Sequence, residues 1–141
     1  SATGSFMKSL SRTSQIEFCN GNKESFQRGP YMSSSGWQEC ADRGELLVHV
    51  TPTDLVLPNS TLRTPYEVFQ AAYKAGFRTL VTNFRQNQLA REVSAYRQNL
   101  RKDRVPPNFD RVDDLIARFE GMRRFYIRGV EAGQEIGLTV V

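Results

Sequence analysis

The stretch TPYEVFQAAYKAGFRTLV at residues 64–81 decides how the chain is read. Thr64, Pro65 and Glu67 supply a capping hydroxyl, a proline at the first helical position and a carboxylate at the third. Val68, Phe69, Ala72 and Tyr73 then recur at helical spacing and make one apolar stripe. Gly76 offers the left-handed residue that closes a helix. The run at 77–81 follows as a strand. Upstream, Leu46-Leu47-Val48-His49-Val50 lies between Gly44 and Pro52 and reads as another strand, with a loop over 51–63. Strand, helix and strand form the unit around which the rest is placed.

On the C-terminal side, 86–102 reads as a second helix. Leu89, Val93, Tyr96 and Leu100 share one narrow stripe, which predicts that they are core. Arg91, Arg97, Arg101 and Lys102 fall on the other side. Pro106 and Pro107 end that helix, because the residue before a proline avoids helical geometry. Asp110 caps a third helix, whose inner stripe is Val112, Leu115, Ile116 and Phe119 and whose stop is Gly121. Residues 124–128 and 136–141 read as two strands with a glycine-bearing turn at 129–133.

The N-terminal third has another character. Residues 1–15 are rich in Ser and Thr and read as a flexible arm. Ile16-Glu17-Phe18 makes at most a very short strand, and 19–44 carries five glycine or proline residues and a serine run. That segment reads as long and irregular, and Phe26, Tyr31 and Trp37 within it read as anchors for a partner's pockets or for the chain's own core. The fold expected is therefore α+β: a small mixed sheet with three helices over 45–141, preceded by an extended Ser/Gly-rich arm over 1–44.

At 141 residues the chain suits a single domain with its own core. Its hydrophobic fraction of 39% is somewhat low, which points to a segment that is unstructured or bound to a partner. No apolar run approaches the length of a membrane span, and residues 1–12 lack the apolar core of a signal peptide. The net charge of +4 is unevenly spread. Residues 78–104 hold seven basic side chains against Glu92 and Asp103, whereas the flanking segments are nearly balanced. Fifteen of the 19 bases are Arg, whose planar fork suits carboxylates and phosphates. Such a patch fits an acidic protein or a nucleic acid.

Catalytic signals are sparse. His49 sits within a strand, with no nucleophile or carboxylate fixed beside it by spacing, so a packed histidine is the favoured reading. No phosphate-binding loop and no nucleophile elbow occur. Two cysteines and one histidine are too few for a four-ligand zinc site. Cys19 and Cys40 are open to three readings: a disulfide, free buried thiols, or thioether attachment of a pigment. Asp113, Asp114 and Glu120 do not make a metal site, because helical phasing separates them. Neither a catalytic nor a metal site is assigned.

The order strand, Thr64-Pro65-Tyr66 helix, Gly76, Leu80-Val81 strand resembles the small linker module of phycobilisome linker polypeptides over 46–82. The family doubles the glycine that stands alone here as Gly76, and its helix is about one turn longer. The resemblance implies a non-enzymatic, basic linker threading an acidic, phycobiliprotein-like light-harvesting complex, at the plastid stroma or the cytoplasmic face of the thylakoid. It also implies a possible bilin on Cys19 or Cys40. Arg91, Arg97, Arg101, Lys102, Phe26, Tyr31 and Trp37 would then meet the partner. The alternatives are an RNA-associated subunit of ribosomal type, binding phosphates through the Arg-rich helix, and a small enzyme or toxin using His49.

Overall fold

The computed structural model describes residues 2–19, 33–50, 60–102, 104 and 111–141, with side chains from residue 8 onward. Phe26 and Tyr31 lie outside the described residues. The described chain is mostly helical: α1 (Ala2–Ser14), α2 (Ser34–Asp42), α3 (Pro65–Ala75), α4 (Gln88–Arg101) and α5 (Val112–Ile136). Two short strands, β1 (Thr79–Leu80) and β2 (Thr139–Val140), complete it. The α+β character holds, but with five helices rather than three and a sheet of two parallel strands.

α3 forms where its local signals place it. The Thr64 side chain accepts from the Glu67 amide at 3.2 Å, and Glu67 accepts in return from the Thr64 amide at 3.0 Å. Pro65 opens the helix, and Gly76 closes it with φ of 111°. Val68, Ala71 and Ala72 are buried, with Phe69 and Tyr73 beside them half-exposed. After Gly76 the chain extends into β1, which pairs Thr79 with Thr139 and Leu80 with Val140.

α3 is the centre of the molecule, packed between α2 and α5. The core joins Cys19, Trp37, Cys40, Leu62, Val68, Ala71 and Ala72, with Val48, Val50, Phe69, Phe77 and Phe125 packed against it. The ring of Trp37 meets Phe77 edge-on, centroids 5.0 Å apart.

Four local expectations are corrected. Residues 2–14 are helical rather than a flexible arm. Residues 34–42 are a helix of the core rather than irregular chain. The serine run ends in a cap, with Ser33 accepting from the Gly36 amide, and α2 then turns Trp37 and Cys40 inward on one face. Residues 46–50 do not form a strand; Leu47 makes one parallel bridge to Phe18, and the 16–18 segment contributes only that bridge.

The fourth correction in chain order is the largest. Gly121 does not stop the helix that begins near residue 112, and 124–128 is not a strand; α5 continues for 25 residues. Gly129, Ala132 and Gly133 are the reason the C-terminal half packs. At spacings of three and four they form a face of small residues. A Cβ built on Gly133 would lie 2.8 Å from Leu80 and 3.1 Å from Val140. The glycines read as a turn are the seam that lets α5 approach the sheet. Gly137, with φ of 97°, ends the helix and leads into β2.

Candidate functional site

α4 begins at Asn87, whose side chain accepts from the Ala90 amide at 2.9 Å. Its bounds agree with the periodicity, but its buried side lies about a quarter turn from the predicted stripe. Leu89 is 57% exposed, Leu100 is 50% exposed and Val93 is also exposed, while Tyr96 is half-buried. The expectation that this stripe is core is therefore corrected. Of the third-helix stripe, Val112 and Ile116 are likewise exposed, with Leu115 and Phe119 half-buried.

The residue α4 buries is Glu92, at 1% exposure. Its carboxylate meets two guanidinium groups. Arg91 bonds one oxygen, and Arg118 of α5 stands 2.8 Å from the other as an ion pair. A buried carboxylate without such partners would be strongly destabilising. Gln88 and Asn99 share the inner side of the helix with Glu92 at spacings of four and seven, and both are half-buried. α4 thus turns a polar side inward and its aliphatic stripe outward. Among the described helices it packs closely against none, so the Glu92–Arg118 pair is a principal tie to α5.

Glu92 is also the only acidic residue within α4. With it buried, every charged side chain on the exposed part of the helix is basic: Arg97 and Arg101, continued by exposed Lys102 and Arg104. Arg97 and Arg101 line one edge of the Leu89–Val93–Leu100 stripe, since each lies about a quarter turn from it. Arg91 is different: it is half-buried and engaged with Glu92. The signal for this arrangement was present in the sequence as a lone carboxylate in a basic helix, but its partner, Arg118, lies 26 positions further on.

The other sequence candidates fall elsewhere. Cys19 and Cys40 form a disulfide with Cα atoms 5.4 Å apart. Both cysteines are buried, and of the three readings of this pair the structure has the disulfide. Arg43 Nη2 lies 3.7 Å from the Cys40 sulfur and 3.9 Å from that of Cys19, and pairs with Glu45 at 3.0 Å. Cys19, Cys40 and Glu45 are the only three-donor cluster among the described residues, and a disulfide is not a metal ligand pair. Trp37 is 2% exposed and serves the core, not a partner's pocket.

His49 is half-buried, flanked by Val48 and Val50 that pack on the core. A shallow open cleft of about 330 Å³ is lined by Glu120, Arg123, Arg124 and Ile127. All four come from α5, so it is a dent in one helix surface rather than a converging pocket. The chain matches no known family model, and no curated protein and no solved structure is detectably similar to it.

Proposed function

We propose that this chain is a non-enzymatic, basic assembly subunit that joins a larger acidic protein complex through the outer face of α4. One observation supports this above the others: α4 buries its only carboxylate and exposes aliphatic and basic side chains together. A solvated surface helix is built the other way round, with its apolar stripe inward. Exposed aliphatic side chains in a row mark interaction sites. The positive edge at Arg97 and Arg101 selects an acidic counterpart and speeds encounter with it. The light-harvesting form of this reading rests on the resemblance over 46–82 alone.

The RNA reading is weaker on the same face. Phosphate contacts need the Arg side chains but have no use for Leu89, Val93 and Leu100. Phe125 and Tyr126, the aromatics flanked by arginines, lie half-buried on α5 rather than on an open sheet.

The test is sedimentation of the full chain in native extract of its own cells. The wild type should travel in a large assembly that survives nuclease and dissociates at high salt. Arg97→Glu/Arg101→Glu/Lys102→Glu should sediment as the free chain while its melting temperature stays close to wild type, since exposed charges contribute little to stability. A wild-type chain that sediments alone, or a complex released by nuclease, would refute the proposal.

A further inference from the structure

We infer that the outer face of α4 docks one amphipathic helix of a partner protein, a helix whose apolar seam is edged by carboxylates. This deepens the assembly reading above and rests on it. Leu89, Val93 and Leu100 repeat at spacings of four and seven, so they form a straight row along the helix. From Leu89 to Leu100 the row is roughly 17 Å long, about three helical turns. A row of that shape is matched by another helix presenting side chains at i, i+3, i+4 and i+7. The basic edge at Arg97 and Arg101 runs beside the row, so the complementary helix carries Asp or Glu along one border of its seam.

The inner side of α4 explains why the row stays outward. Turning Leu89, Val93 and Leu100 toward α5 would carry Glu92 into water and separate it from Arg118. The ion pair therefore holds α4 in the orientation that presents the row. Beyond it, α5 exposes Val112, Ile116 and Ile127, which supply further aliphatic surface.

A second copy of the chain is a poor occupant, because α4 against α4 sets Arg97 and Arg101 against their own kind. An anionic membrane is a poor occupant as well. The row carries no aromatic residue among its exposed members, and interfacial helices rely on Trp or Phe beside Leu.

The experiment uses the full-length chain with its disulfide intact and a labelled synthetic peptide as probe. The peptide is a designed helix with leucine at i, i+3, i+4 and i+7 and glutamate along the border. Fluorescence anisotropy should show binding that the scrambled peptide lacks. Leu89→Ser/Val93→Ser/Leu100→Ser should weaken it at least tenfold. Arg97→Glu/Arg101→Glu should do the same, and a lysine-bordered peptide should bind this variant better than it binds wild type. Equal binding of the scrambled peptide would overturn helix docking. Preference for phosphatidylserine vesicles or an RNA oligonucleotide would also overturn it, as would a concentration-dependent dimer sensitive to the serine substitutions.

Native sedimentation separates this inference from the reading beneath it. If the serine variant stays in the complex while the glutamate variant leaves, helix docking falls and the acidic-partner reading stands. If both variants stay, the reading itself falls.

Discussion

Replacing Gly121 with Ala tests the continuity of α5 and gives opposite signs under the two accounts of this segment. Gly121 lies ten residues into a 25-residue helix, is exposed, and would offer an added Cβ nothing within 4 Å. Its φ is not positive, unlike those of Gly76 and Gly137. Glycine in an exposed helix interior is less favourable than alanine by about 1 kcal/mol, so Gly121→Ala should stabilise the fold by about that amount. For a chain of this size, that raises the melting temperature by roughly 3 °C. Gly133→Val is the companion, since its Cβ alone would approach Leu80 to 2.8 Å and Val140 to 3.1 Å. Overpacking should cost about 1–3 kcal/mol, offset only slightly by the better helix propensity of valine over glycine. Urea denaturation followed by far-UV circular dichroism measures both, with an unchanged m value required for the comparison. If Gly121→Ala destabilises, residue 121 is a left-handed helix end and the long α5 is wrong.

Three further outcomes follow from the geometry. Cys19→Ser/Cys40→Ser, or reduction of the wild type, should lower stability by about 3 kcal/mol, because the bond closes a loop across 21 positions; chemical denaturation with and without a dithiol checks this. Leu100→Ser should change stability by less than about 0.5 kcal/mol, whereas Glu92→Gln should cost about 1–3 kcal/mol by weakening the contacts to Arg91 and Arg118, read from paired urea midpoints. Backbone hydrogen bonds from the Arg63 and Thr64 amides hold the Glu67 carboxyl below the usual carboxylate range. Its contribution is therefore present above the ordinary glutamate pKa and is lost as pH falls through the lowered one. The stability gap between wild type and Glu67→Ala should narrow on acidification below about pH 4, and thermal melts across that range would show it.

The parts of this fold that were legible in the sequence are those set by near neighbours. α3 could be read to the residue because Thr64, Pro65, Glu67 and Gly76 act within one or two helical turns. The bounds of α4 were legible for the same reason. α5 was not, because Gly129 and Gly133 carry opposite meanings in a turn and in a packing seam. Which meaning applies depends on Leu80 and Val140, contacts made through the fold. α2 was missed because a serine run looks like linker until Gly36 is seen donating to Ser33.

The candidate face divides in the same way. Periodicity showed that Leu89, Val93 and Leu100 share a stripe, but not which way the stripe points. The pointing is set by Glu92 meeting Arg118 across two helices, and a long-range charge pair leaves no local pattern. Arg97, Arg101 and Lys102 were legible as a basic cluster because charge density is local. Trp37 was misassigned because an aromatic in polar surroundings serves a partner or the core equally well until its helix is placed.

The central claim is that the outer face of α4 is where this chain meets its complex. Hydrogen exchange read by mass spectrometry, comparing the free chain with the same chain in its native assembly, addresses that face directly. The account predicts that assembly slows exchange across 88–102 more than in any other described segment, and leaves 65–75, already protected in the core, nearly unchanged. Unaltered exchange over 88–102, with new protection confined to segments away from α4, would contradict it.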